Sequence, residues 1–329
     1  MSGLLSTPGA IEFLAAMARA RTRTQWNERL VHWGRPASEH EEENIQRAAR
    51  MAAQIVGGNR WLLGEGVTIQ AQGSYYNNTN VRIEADMDLR IQHPSIKIYY
   101  LNVTDWNAAF AQLGYSKLVR NLETTANLIR DQAAAAFVGA FGQAGVDTAG
   151  NKAIRVHGLE GSRAPCDIVP AFRLDVIVPG AFAAHVAFQG VAIAGRDGSW
   201  IYNFPEQHHA NGVAKRERTA HRFKKCVRML KQLNYELEEM GMIPRRVPSF
   251  FIECLAYRVP NPGFLVEEDD SYDRLRRIVY QMAQQLADQN WAIAAMEISE
   301  CKKLFDPGQA WTLAQAQQFA AAAAARLDA

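Results

Sequence analysis

From Pro205 to its last residue the chain carries no segment of strand composition, whereas strand-like runs recur between Gly66 and Ile193. That segregation constrains the fold more than any other feature. Strands and helices alternating along the whole length would ask for a parallel α/β sheet. Strands followed by helices alone ask for an α+β arrangement, a sheet-bearing lobe joined to a helical lobe. The length of 329 residues, without internal repeats, suits one bilobal unit. The expected division is a core lobe over 1–204, including the N-terminal helices, and a helical lobe over 205–329 ending in an Ala-rich tail.

Within that frame the periodicities place the elements. Residues 9–57 read as helical, with Ile45, Ala48, Met51, Ala52 and Ile55 on one stripe. Ser38 followed by Glu41 forms the pattern of a capping box that opens this helix. Strands are expected at Val67–Gln72, Glu84–Gln92, Ile96–Val103, Ala153–Val156, Cys166–Val178 and His185–Ile193, with a helix over Ser116–Phe141. In the second part Phe223, Val227, Leu230, Leu233, Leu237 and Met240 make one face of a helix over Thr219–Met240. Pro244 and Pro248 end it and start another around Phe250–Tyr257, and a further helix is expected near Ser271–Gln289. The final Ala/Gln-rich stretch to Ala329 reads as a frayed helix or a mobile tail.

Several function classes are excluded early. With 36 Lys+Arg against 34 Asp+Glu the net charge is only +2, which argues against a long nucleic-acid partner. The N-terminus lacks a basic segment followed by an apolar core, and the longest uncharged run, Val176–Gly195, is broken by Pro179, Gly180 and Gly190. No membrane association is expected. Cys166, Cys226, Cys254 and Cys301 lie 60, 28 and 47 residues apart, so they read as buried thiols of a cytoplasmic protein, not as a zinc site. His208-His209 adjoin no spaced ligand set.

The chemistry concentrates elsewhere. Gly73-Ser74 follows a strand, and twelve residues beyond Ser74 comes Asp86-Met87-Asp88 inside another. Residues two apart on a strand share a face, so both carboxylates can converge on one point, although Leu89 and Ile91 extend Met87's side only imperfectly. Neighbouring carboxylates repel unless a cation lies between them, and hard oxygen ligands suit Mg²⁺ or Mn²⁺. A third acid, Asp167, stands in another strand-like run. Three acids on adjoining strands can hold two metal ions for in-line phosphoryl or nucleotidyl transfer. A glycine beside a serine lets the backbone approach a phosphate closely, with a hydroxyl at hand.

Gly73-Ser74, Asp86-Met87-Asp88 and Asp167 resemble the signature of the polymerase-β-like nucleotidyltransferases. The segments Pro205–His208, Asn211, Phe223–Lys231 and Pro248–Leu255 are similar to the second lobe of the cyclic GMP–AMP synthase-like enzymes. The resemblance spans about 38–290 and is to the bacterial CD-NTases, relatives of oligoadenylate synthase that make nucleotide second messengers in anti-phage defence. It implies a mixed sheet with a spine helix, and Asp86, Asp88 and Asp167 as catalytic ligands for two Mg²⁺ or Mn²⁺ ions. It implies too that Gly73 and Ser74 hold the donor triphosphate and that a helical-lobe lysine reaches its phosphates, Lys225 first and Lys224 in reserve. An aromatic before the helical lobe stacks on a base in such enzymes; Tyr202 fits that place, with Asn203 to read a base edge. A cleft between the lobes is the expected meeting point.

The implied activity joins nucleoside triphosphates through sugar hydroxyls into a cyclic di- or trinucleotide, releasing pyrophosphate. A linear oligonucleotide synthase or an RNA-directed nucleotidyltransferase is the enzymatic alternative. A non-catalytic nucleotide sensor is the alternative of another class, and it is expected to have lost one of the acids. The resemblance further implies an effector that senses the product and an accessory regulatory protein acting on the C-terminal tail.

Overall fold

The structure, a computed structural model, describes residues 21–81, 86–116, 120–266 and 270–329. Residues 9–20 of the expected N-terminal helical stretch, and the start of the expected strand at Glu84, lie outside them. The chain forms two compact units, one of Ala37–His209 and one combining the chain up to Pro36 with Ala210–Ala329. The segment before Ala37, expected with the sheet lobe, thus groups with the C-terminal helices. Among the described residues no helix is long and apolar enough to cross a membrane.

The N-terminal segment of the helical unit is α1 (Arg23–Trp33). The sheet unit opens with α2 (Glu39–Gly58) and α3 (Arg60–Gly64). The Ser38 capping box is present: Glu41 N donates to Ser38 Oγ and Ser38 N to Glu41 Oε2. Ile45, Ala48, Ala52 and Val56 are the buried stripe of α2. Then come β1 (Thr68–Gln72), the one-turn α4 (Gly73–Tyr76), β2 (Met87–Tyr100), α5 (Trp106–Gln112), α6 (Leu122–Phe141), β3 (Val146–Asp147), β4 (Ile154–Val156), β5 (Cys166–Pro179), β6 (His185–Ala194) and β7 (Trp200–Asn203).

These strands form one seven-stranded mixed sheet. Its order is β1-β2-β5-β4-β3, with β6 pairing β5 and β7 pairing β6. The central pair, β2 and β5, is parallel, so a crossover must return the chain to the same edge. That crossover carries α6, the spine helix, with Ala126, Ile129, Ala133 and Phe137 buried. The two strands expected at 84–92 and 96–103 are a single strand, β2, with a register shift between His93 and Ile96. Pro94 lies in that shift; proline has no N–H for the ladder, so it bulges the strand without ending it. Met87, Leu89 and Ile91 are all buried, but Arg90 between them is buried as well, so the alternation is partial, as the sequence suggested.

After the sheet the chain runs through α7 (Pro205–Arg218), α8 (Arg222–Glu239), α9 (Ser249–Arg258), α10 (Ser271–Ala287), α11 (Gln289–Ala294) and α12 (Leu313–Asp328). In the helical unit α8 is central: Phe223, Val227, Leu230, Leu233 and Leu237 join the core, and polar Lys224, Arg228, Lys231, Asn234 and Glu236 are buried as well. Gly241, at φ +68°, follows the C-cap Met240, so the helix stops before Pro244 is reached. The expected frayed tail is corrected. Helix α12 is capped by Thr312 and puts Ala316, Phe319, Ala320, Ala323 and Leu327 into the core. Tyr272 Oη donates to Leu327 O at 2.6 Å, and Arg276 holds Asp328. An accessory protein would meet a packed helix over these residues instead of a loose tail.

Candidate active site

The β ladders bring distant residues into one row. Gln72 of β1 pairs with Asp88 of β2, Asp88 with Asp167 of β5, and Asp167 with Arg155 of β4. Partners directly opposite in neighbouring strands lie side by side, so Asp88 and Asp167 sit together at the starts of the two central strands. Asp86, two residues before Asp88, reaches the same neighbourhood: its Oδ2 accepts from Arg155 Nη2 at 3.0 Å. Arg155 Nε stands 3.8 Å from Asp167 Oδ1. Met87 and Cys166 face the other way, into the core.

Gly73 is required by two features at once. Its φ is +74°, and a Cβ there would lie 2.7 Å from Asp88 Cγ. Glycine therefore lets the backbone turn and leaves room for the carboxylate beside it. The segment that follows locks the turn: Asn77 Nδ2 donates to Gly73 O at 2.9 Å and Thr79 N to Ser74 O at 2.9 Å. Asn77, Thr79 and Asn80 are buried. Sequence reasoning did not single out this segment; its signal was the turn-forming run Asn77-Asn78-Thr79-Asn80, with Asn78 at φ +53°.

Two further groups escaped the sequence. Arg155 carries no motif. Arg90, two residues past Asp88 in β2, is buried with its guanidinium on Gln70 Oε1 and, at 3.3 Å, on Glu206 Oε1. Glu206 Oε2 in turn accepts from Tyr76 Oη at 3.2 Å. The first turn of α7 is thereby tied to α4 and β2 within the sheet unit.

The charges of the acid cluster are consistent with a cation site. Burial pushes the Asp167 carboxyl above its ordinary value, with Arg155 opposing the shift and the Asp86 charge adding to it. Such a group gains from positive charge, and all the donors are hard carboxylate oxygens of the kind Mg²⁺ and Mn²⁺ take. The space that a Cβ at Gly73 would fill beside Asp88 belongs to the same cradle. The residue types present therefore suit a divalent ion, although among the described residues no three such side chains already converge as a metal site. Among the described residues His208 and His209 join no metal-ligating group; the His209 ring packs tilted against Tyr76, centroids 4.5 Å apart.

The remaining candidates are separated from this row or lie in the other unit. Tyr202 pairs with Ala192, which pairs with Phe172, five residues along β5 from Asp167. At ~3.3 Å per residue that is about 16 Å down the strand. Tyr202 packs its ring on Tyr99, centroids 4.9 Å apart, and Asn203 is exposed at the strand end. The ladder does not bring this pair to the carboxylates. On α8, Lys225 is exposed, whereas Lys224 is only 8% exposed. Burial pushes the Lys224 ammonium below its ordinary value, Glu253 partly offsetting this and Arg216 and Arg228 adding to it. The two lysines thus stand on the same helix in different settings, Lys224 enclosed and Lys225 open to solvent.

Several known proteins are similar to this chain. A family model for the cGAS/DncV-like nucleotidyltransferase C-terminal helical domain matches residues 210–328. The cyclic dipyrimidine nucleotide synthase CdnE of Legionella pneumophila is 32% identical over 298 residues, 89% of this chain and 95% of that protein. A cyclic dipurine nucleotide synthase of Elizabethkingia meningoseptica is 34% identical over 254 residues, 72% of this chain and 78% of that protein. The structure of the Elizabethkingia meningoseptica CdnE cyclic dinucleotide synthase with GTP and Apcpp superposes with a TM-score of 0.69 at 29% identity, covering 90% of this chain and 96% of that one.

Proposed function

The chain belongs to the cGAS/DncV-like nucleotidyltransferases, and on that premise we propose that it joins nucleoside triphosphates into a cyclic oligonucleotide at the Asp86–Asp88–Asp167 row. Two observations of kinship support cyclisation: relatives named for dipyrimidine and for dipurine rings both align over most of the chain. The observation that carries the site is the ladder Gln72–Asp88–Asp167, with Gly73 folded against Asp88.

In each of the two or more rounds a sugar hydroxyl oxygen attacks the α-phosphorus of a donor triphosphate. The bond to the β-phosphate breaks, pyrophosphate leaves and the hydroxyl proton passes to solvent. Asp86, Asp88 and Asp167 would hold two divalent ions, which supply a lowered pKa at the attacking hydroxyl and charge neutralisation on the triphosphate. Gly73 and Ser74 present backbone and hydroxyl to the donor phosphates. Asn77 and Thr79 keep that turn rigid through their bonds to Gly73 O and Ser74 O. A lysine of α8, Lys225 or in reserve Lys224, would meet the donor phosphates. Tyr202 and Asn203, well along the sheet, suit contact with a base more than with the reacting phosphate. A small cyclic product implies a downstream effector that binds it, in keeping with a role in anti-phage signalling.

The test is incubation with labelled ATP, GTP, UTP and CTP, singly and in pairs, with Mg²⁺ or Mn²⁺, followed by phosphatase treatment and mass measurement. A phosphatase-resistant product that disappears in Asp88→Asn and Asp167→Asn is expected. Products that all keep a phosphatase-sensitive 5′ end would establish a linear synthase instead.

A further inference from the structure

The positive charge already seated among the acids is a side chain. Arg155 sits opposite Asp167 in the ladder, bonds Asp86 Oδ2 at 3.0 Å and lies 3.8 Å from Asp167 Oδ1. Two carboxylates brought together need a cation between them, or one of them takes up a proton. The guanidinium provides that cation from within the fold.

Its setting differs from that of the chain's structural arginines. Arg130 is fully buried and bonds Ala194 O, and Arg228 is buried against Gly34 O. The Arg155 side chain is 48% exposed, and among the described residues its partners are Asp86 and Asp167. With a side chain about half exposed, the guanidinium has room to swing into solvent once those two acids find another cation. The ladder makes Arg155, Asp167 and Asp88 successive neighbours across three strands. Asp86 spends an oxygen on Arg155 and is turned toward it.

We infer that Arg155 is a resident counter-ion of the metal site: without metal its guanidinium holds the charge position between Asp86 and Asp167, and a divalent ion binds by displacing it. The inference rests on reading these acids as metal ligands. It assigns Arg155 two effects. It lets the acids stand together without mutual repulsion before metal arrives, and it competes with the metal, so that the site fills only above a set divalent-ion concentration.

The experiment measures Mn²⁺ binding to the full chain without nucleotide, by electron paramagnetic resonance of the free ion. Arg155→Met removes the charge and should bind Mn²⁺ roughly tenfold more tightly, or better, since a unit charge at this range opposes a divalent ion strongly. Arg155→Lys keeps the charge and should stay within about threefold of the wild type. The metal-free melting temperature of Arg155→Met should fall, and its rise on adding Mn²⁺ should exceed that of the wild type. Should the Met variant not fold, Arg155→Gln offers Asp86 a neutral donor and is read in the same way. Unchanged or weaker Mn²⁺ binding by the neutral variants overturns the inference, and weaker binding would make Arg155 a positioning residue for the acids. Asp167→Asn separates the two levels. If it loses Mn²⁺ while Arg155→Met gains nothing, only the counter-ion role fails; if it binds Mn²⁺ like the wild type, the metal-site reading fails with it.

Discussion

Replacing Gly73 by Ala tests the site through a single methyl group. Two costs are superimposed at this position. The residue has φ +74°, a left-handed conformation that charges an L residue about 1–2 kcal/mol. The new Cβ would also lie 2.7 Å from Asp88 Cγ, where carbon atoms pack at about 3.5–4.0 Å. The Asp88 carboxylate must therefore retreat by about 1 Å, and a misplacement of about 1 Å in a reacting site costs roughly 100-fold in rate. Gly66 isolates the backbone cost: its φ is +69°, and its added Cβ would meet only Pro94 Cγ, at 3.8 Å. Urea unfolding should show both Ala variants losing about 1–2 kcal/mol. Mg²⁺-dependent pyrophosphate release should fall roughly 100-fold in Gly73→Ala and stay near wild type in Gly66→Ala. Equal activity in the two variants would refute the claim that Gly73 exists to make room for Asp88.

Two other outcomes follow from buried charge in the helical unit. Glu236 accepts from Arg21 at 2.6 Å, Arg29 at 2.7 Å and Arg326 at 2.7 Å. Burial alone would raise its carboxyl, but these guanidiniums hold it below its ordinary value. Glu236→Gln leaves buried Arg326 uncompensated, so urea unfolding should report a loss of about 3 kcal/mol; a loss under about 1 kcal/mol contradicts the clamp. Burial also depresses Lys215, which donates to Val259 O near Arg218 and Arg258, from 10.5 to about 8. Between those pH values the unfolded chain holds a proton that the folded chain has released, so this group makes stability rise with pH, by about 2 kcal/mol by pH 10. Comparing Lys215→Met with the wild type at pH 7.5 and pH 10 checks this, and an identical pH dependence in both rejects it.

The sequence was most informative where chemistry or periodicity acts locally. The Ser38–Glu41 box and the stripe of α8 each lie within a few residues, and each stands in the structure as expected; Asp86, expected inside a strand, lies just before β2. The alternation of β2 was readable, but its continuity was not: Pro94 reads as a break, and only the partner strand β5 shows that it is a bulge. Helix α12 failed for a related reason. Its many alanines give a weak stripe, and alanine becomes core only when another helix comes close enough to cover it.

By itself, then, the sequence determined most element types and the segregation of sheet from helices, and it put forward three acids as candidates, because helical and strand periodicities and carboxylate chemistry are properties of short segments. The tertiary structure decided the rest. Arg155 becomes the acids' partner only through the register of β4 on β5, and the N-terminal segment joins the C-terminal helices through Glu236. Lys224 is buried while its neighbour Lys225 is exposed only because one side of α8 is enclosed by other helices. Registers and burial are set by pairing and packing between residues far apart in the chain, and no local pattern records which distant charge will stand opposite.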